Sequence, residues 1–289
     1  MIAEKISFKK GHRSRAVFLF FAYAFLILTM ISMILPLIKV LVDSVDPTAT
    51  YGINLWPKKV DFTAYKQILR TKGLYGPFVV SVVTTIIGTA FGLLLTTLAA
   101  YVIIQKEMPG RKLISNLILF TMIFNGGLIP TYLTISSLNL MNNMLSVMVP
   151  VALSAYNIIL MRSFFESIPN TLYEAAKLDG CSPIGIFWRI VLPLSKPALA
   201  SIGLFIAVAM WNDFFHFQLY ITDPNLKNFQ LKVRDLILND GAVGTASMTA
   251  SAEMLKSAVV TVVIAPFLVI YPFLQKYFVK GVTLGAIKE

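Results

Sequence analysis

Apolar residues fill this chain in runs too long for a strand or an ordinary buried helix. A helix that crosses a bilayer needs about 20 mostly apolar residues, and six stretches meet that need: 16–38, 77–104, 113–136, 143–161, 198–219 and 257–274. The first contains FLFFAYAFLILTMISMILPLI without a charge, and the third is broken by Gly126, Gly127 and Pro130. The N-terminal segment has the basic head and apolar core of a signal peptide. Its core is too long, however, and no small-x-small cleavage site follows near LPLIKVLVDSV, so it reads as an uncleaved first span. The pattern predicts an all-α, multi-pass membrane protein, one transmembrane domain over residues 1–289, with both termini on the same side.

Composition agrees. Of the 289 residues 57% are apolar and 13% charged, with a mean hydropathy of +0.75, against about 25% charged in a soluble domain. The net charge of +11 could suggest nucleic acid, but in a chain this apolar it first reports topology. Both termini and the connections after spans two and four carry 15 basic residues against six acids, or +9; the rest carries ten against eight, or +2. Lys and Arg concentrate on the cytoplasmic side, which places both termini there. One cysteine, Cys181, and two histidines, His12 and His216, offer neither an intrachain disulfide nor a metal cluster.

Two loops on the predicted outer side are long. Residues 41–76 include Phe62, Tyr65, Ile68 and Leu69 at helical spacing, a short amphipathic helix that either lies on the outer surface or caps the bundle. Residues 220–256 hold the small-residue tract GAVGTASMTASA, either an arm toward a partner or a passive tether.

The cytoplasmic connection between spans four and five, residues 164–197, carries the chemistry. It reads as two short helices. Pro169 suits a first helical turn, Thr171 and Glu174 have capping-box spacing, and Gly180 supplies a left-handed stop. Ser182 then caps a second helix with Pro183 at its first position, running from Ile184 to Leu192 until Pro193 ends it. Helices this short are marginal alone, so they must dock. The first offers a shallow apolar strip of Leu172, Ala175 and Ala176, rimmed by Tyr173, Glu174, Lys177 and Asp179. Alanines permit close approach and a charged rim fixes register. Glu174 can serve as an anchor for a partner, as an intramolecular cap, or both.

The string Glu174-Ala175-Ala176, then Gly180, then nine residues to Ile190-Val191-Leu192-Pro193, resembles the EAA loop of permease subunits of ATP-binding-cassette importers. SIPNTLYEAAKLDG and RIVLPLSKPALA look like the carbohydrate branch, of maltose-transporter type; FNGGLIPTYL and the ending KGVTLGAIKE resemble a sub-branch for larger oligosaccharides. Cys181 stands where Ala is common and Glu289 where Gly is common. The resemblance implies a type I importer permease in a bacterial cytoplasmic membrane, with a cytoplasmic coupling helix formed by residues 169–180. It implies a second permease subunit, two ATPases that bind ATP and Mg, and an extracytoplasmic binding protein delivering an oligosaccharide. ATP binding would close the ATPases and shift the bundle between inward- and outward-facing states. The chain has no G-x-x-x-x-G-K-[ST] and no Gly-Lys dipeptide, so the phosphate cradle must lie in another subunit.

Polar groups inside spans are candidates for a translocation path, because they are costly unless paired or facing a cavity. Trp211 and Asn212 combine a stacking face with amide donors and acceptors, as sugar recognition needs, but also suit an interfacial belt. Asp213, with His216 and Gln218 beyond it, reads as a structural or gating group rather than a substrate contact. Asn125, Gly126, Gly127 and Pro130 either expose carbonyls to a cavity or, as the glycines favour, allow close helix packing. Asn157 faces the path or bonds a neighbouring helix. Three other readings compete: a gradient-driven carrier or channel, an importer of a non-sugar solute, and a membrane enzyme, which would want a clustered acid/base or metal set that this sequence lacks.

Overall fold

The computed structural model describes residues 13–48, 52, 54–238, 253–266, 268, 269 and 272, and among them the only regular elements are helices. Contacts divide the chain into two compact units, Met1–Arg70 with Gly244–Val262 and Thr71–Val243 with Val263–Glu289.

In the first unit α1 (Arg13–Asp43) is a single helix of 31 residues with Pro36 inside it. Many of its apolar side chains are exposed, Phe18, Phe20, Phe21 and Phe25 each by about two-thirds, a surface suited to lipid or another subunit. Helix α2 (Thr63–Arg70) is the expected short helix, with a different face. Ala64 and Ile68 are buried, whereas Phe62 and Leu69 are exposed, and Tyr65 donates its hydroxyl to Ser44 at 2.7 Å. Between α1 and α2, Asp46 accepts from the Thr48 hydroxyl at 2.6 Å and from the Thr48 and Lys58 amides at 2.9 and 2.8 Å. These donors, the Thr48 hydroxyl first, hold its carboxyl below the ordinary value.

The second unit is organised on α3 (Tyr75–Ile104), against which later helices pack. Its buried face is a ladder of small residues at helical spacing: Ser81, Thr84, Gly88, Gly92, Thr96 and Ala100. Thr84 on this ladder, and Thr97 beside it, bond their own helix carbonyls at 2.7 and 2.8 Å, whereas the buried Thr96 hydroxyl has no hydrogen-bond partner among the described residues. Small residues let backbones approach, and two glycines show it. A Cβ at Gly92 would fall 3.0 Å from the Ala152 carbonyl oxygen, and one at Gly88 2.7 Å from the Met210 methyl. Close packing therefore sits here and not where the sequence placed it: a Cβ at Gly126 would meet nothing nearer than Pro130 at 3.8 Å, and one at Gly127 nothing within 4 Å.

The remaining stretches are broken. The third divides into α4 (Arg111–Ile123) and α5 (Leu128–Ser137), with Gly127 at φ 85° starting the second piece. The fourth is α6 (Met144–Ala152) and α7 (Ala155–Glu166), bent by 48°. After α8 (Asn170–Leu178), α9 (Pro183–Ile186), a π-helical turn Phe187–Val191 and α10 (Leu192–Leu194), the chain bends by 82° into α11 (Lys196–Asn212) and continues as α12 (Phe215–Tyr220). Among the described residues two helices alone are long and apolar enough to cross a membrane, or up to four if each bent pair is one crossing. The loop 220–256 is not a free tether throughout: α13 (Phe229–Leu238) buries Phe229, Leu231 and Val233. The tract GAVGTASMTASA lies outside the described residues, and residues 253–266 are helical.

Candidate functional site

Helix α8 is rooted by one face and bare on the other. Ala176 is buried in the main apolar core, and Tyr173, three residues before it, packs on the same core and donates its hydroxyl to the Phe165 carbonyl at 3.2 Å. Burial pushes the Tyr173 phenol up to about 12. The opposite face carries Thr171, Leu172, Glu174, Ala175 and Leu178, all exposed. Ala176 thus leaves the strip expected from the sequence, and Leu178, which the sequence reading passed over, joins it at 88% exposure. The signal for Leu178 is its helical spacing from Thr171 and Ala175 once Tyr173 and Ala176 are assigned inward.

The end of α8 follows its glycine. Gly180 adopts φ 74°, its amide bonds the Lys177 carbonyl at 3.1 Å, and the Cys181 amide bonds Ala176 at 2.9 Å. This is the Schellman closure that the left-handed region makes accessible to glycine at no steric cost. The start differs from expectation. Pro169 is the flanking residue and no side chain caps the helix; Thr171 and Glu174 lie inside it, so the capping box does not form. Among the described residues Glu174 has no ion pair, and its carboxylate is presented outward.

Ser182 does cap the second helix, its hydroxyl accepting from the Gly185 amide at 3.1 Å, with Pro183 following. Pro193 does not end that helix. The chain widens into the π turn at Phe187–Val191 and turns at Ser195, two residues past Pro193. Phe187 and Val191, four residues apart, are both buried, while Trp188 and Arg189 are exposed. The second helix is tied to α3 through Tyr101, which donates to the Pro183 carbonyl at 2.8 Å and packs its ring 5.0 Å from that of Phe187.

Charged residues join α8 to the turn between α3 and α4. Lys177 pairs with Glu107 at 3.0 Å. Glu166, near the end of α7, pairs with Arg162 at 2.8 Å and lies 3.9 Å from Arg111, while Arg162 reaches Ser115 on α4 at 2.9 Å. Between this turn and α8 is a cleft of about 420 Å³ whose lining includes Lys106, Glu107, Arg111, Glu166, Glu174 and Lys177. Asp179 is exposed at the end of α8.

None of the path candidates belongs to α8; Trp211, Asn212 and Asp213 follow one another at the end of α11, while Asn125 lies at the α4–α5 break and Asn157 in α7. Trp211 is buried, bonded through its indole N–H to the Val263 carbonyl at 3.2 Å and set edge-on to Phe78. Asn212 is exposed and bonds back to Val208 at 3.0 Å. Asp213, buried at the break between α11 and α12, accepts from the His216 amide at 3.2 Å and lies 2.9 Å from its ring Nδ1, and its second oxygen has no partner among the described residues. Its backbone carbonyl accepts from Asn228, whose side chain also caps α13 through Leu231 at 3.0 Å, while Ser81 of α3 accepts from the Phe229 amide at 2.9 Å. Asn125 is exposed and holds the α4–α5 break through Gly127 at 2.9 Å. Asn157 is buried in the first turn of α7, which Ser154 caps.

Helix α8 is thus a short helix rooted in a helical core with one bare face, and comparison with known proteins places the whole chain. Residues 110–284 match the model of the family described as binding-protein-dependent transport system inner membrane component. The chain belongs to this family. The permease is 41% identical to Protein LplC of Bacillus subtilis (strain 168) over 239 residues, 81% of each chain. It is 38% identical to the polygalacturonan/rhamnogalacturonan transport system permease protein YtcP of the same organism over 275 residues, 92% of this chain and 96% of that one. Among solved structures it is similar to a chain of a bacterial ABC transporter involved in the import of the acidic polysaccharide alginate, with 29% identity, a TM-score of 0.84, and 94% and 99% of the two chains covered. It is a type I importer permease, an inner membrane transport subunit that works with a binding protein; ATP hydrolysis belongs to partner subunits.

Proposed function

We propose that this permease forms one half of a heterodimeric pathway for oligosaccharides in the bacterial cytoplasmic membrane, with both termini cytoplasmic. A related permease completes the pathway, an extracytoplasmic binding protein delivers the sugar, and two ATPases bind ATP and Mg and hydrolyse the ATP. One of those ATPases docks on α8. The observation that carries the reading is the two-sided character of that helix: Tyr173 and Ala176 fix it to the core, while Glu174 and Leu178 project from it. A leucine 88% exposed on a helix of nine residues is a surface awaiting a partner. Motion of the docked ATPase would reach α3 through Tyr101 and Pro183, and α4 through Arg162 and Ser115. The relatives' names supply the sugar class, and the basic excess of +9 on one side supplies the orientation.

The test is Glu174→Arg, read by ATPase co-purification and by sugar uptake in cells. Both are expected to fall at least tenfold while the permease remains in the membrane. Uptake retained without a bound ATPase would favour a gradient-driven carrier and overturn the reading.

A further inference from the structure

The cleft beside α8 is ringed by charges that the chain mostly satisfies by itself. Lys177 pairs with Glu107, and Glu166 is shared by Arg162 and Arg111. Two lining charges remain without an ion pair among the described residues: Lys106 on the α3–α4 turn and Glu174 on α8. They have opposite sign and belong to opposite walls of the cleft.

The turn that carries Lys106 is closed by its own hydrogen bonds. The Met108 amide bonds Gln105 at 3.3 Å, the Arg111 amide bonds Met108 at 3.4 Å, Gly110 sits at φ 76°, and the Arg111 guanidinium bonds the Ile103 carbonyl. A turn already ordered loses little conformational freedom when something binds it. Lys106 itself is exposed.

We propose that the turn at residues 105–110 is a second docking element for the ATPase, and that the ATPase places an acidic side chain against Lys106 and a basic one against Glu174 across the cleft. The inference rests on α8 being an ATPase dock, and it extends that surface to a second segment of chain. Continuity supports the occupant, because Glu174 belongs both to the bare face of α8 and to the cleft wall. Charge supports its chemistry, because a two-sign pair of unmatched groups fixes the orientation of a partner that a single charge would leave free. The exposed Lys177–Glu107 pair spans the same two walls, but as a weak surface contact.

The experiment uses the complete importer, with the ATPase subunit that restores ATP-driven uptake when co-expressed with the permease pair. Lys106→Glu is expected to weaken ATPase association roughly tenfold at low salt, with the difference narrowing as salt rises, and to lower uptake in parallel. Lys112→Glu, an exposed reversal outside the cleft lining, is expected to leave both unchanged. Because Lys106 is exposed, the thermal midpoint of the purified permease should not move. Wild-type association and uptake in Lys106→Glu, alongside loss in Glu174→Arg, would overturn the second element and leave the α8 dock standing. Wild-type association in both variants would overturn the α8 dock itself.

Discussion

The two ends of α3 are held in opposite ways. Near Tyr101, the loop bearing α8 rests on apolar contact with only a few hydrogen bonds, its ion pairs lie at the surface, and Leu178 and Ile184 stand 88% and 71% exposed. Near Ser81, the junction of α11, α12 and α13 is closed by buried polar groups, with Asn228 joining Asp213 to the start of α13. Buried hydrogen bonds are directional and costly to break, whereas apolar contact tolerates sliding and exposed ion pairs are weak. One end is thus suited to being pushed by a partner and the other to keeping a fixed arrangement until enough force arrives.

Substitutions that break this contrast should be graded. Gly180→Val places a β-branched residue at φ 74°, a strain of about 1–3 kcal/mol, and distorts the whole bare face of α8; uptake should fall to background while the permease still accumulates in membranes. At the other end Asn228→Leu leaves the Asp213 carbonyl and the Leu231 amide without their buried partner, which at about 1–3 kcal/mol for an unsatisfied group should lower the thermal midpoint of the purified protein by several degrees. Tyr101→Phe removes the bond to Pro183 at about 1 kcal/mol. Its signature is coupling: ATP hydrolysed per sugar imported should rise, with the ATPase still bound. Lys177→Gln should cost least, within about 1 kcal/mol for an exposed pair, measured as a small shift of the same midpoint.

Acid tests a different region. Asp46 is held below its ordinary value of 3.8 by the Thr48 hydroxyl and the amides of Thr48 and Lys58. A depressed carboxyl stabilises the fold above its unfolded value and loses that contribution as pH falls through the folded one. Thr48→Val should therefore narrow the acid-dependent part of unfolding, a comparison best made by thermal melts from neutral pH down to pH near 3.

Most of the helical layout was legible because spans and short amphipathic helices are written in apolar period and in capping residues. Gly180, Ser182 and Pro183 behave as their local chemistry predicts, since a left-handed stop and a hydroxyl cap depend on few neighbours. What escaped was tertiary. Ala176 faces inward because α8 meets the core on its Tyr173 side, and no periodicity in nine residues separates an inward alanine from an outward one. Pro193 is accommodated because a π turn precedes it and opens the hydrogen-bond ladder, whereas a proline by itself reads as a stop. The packing glycines are Gly88 and Gly92, hidden in an unbroken apolar run, while Gly126 and Gly127 lie at the break of the third stretch, as their sequence indicates, without close packing inside this chain. Trp211 is bonded and packed among helices, which its position beside Asn212 did not reveal.

In the proposed orientation α8 faces the cytoplasm and carries the ATPase, while the junction beyond α12 faces outward. Cys181 is the single cysteine, so Cys181→Ala gives a background in which one introduced thiol reports one place. In that background Leu178→Cys should be labelled by a membrane-impermeant maleimide only in inverted vesicles, and should crosslink to the ATPase with a yield that changes on adding ATP. Thr222→Cys, exposed beyond α12, should be labelled from the outside of intact cells and give no such crosslink. Labelling of Leu178→Cys from outside, or absence of its ATPase crosslink in a transporting complex, would contradict the account.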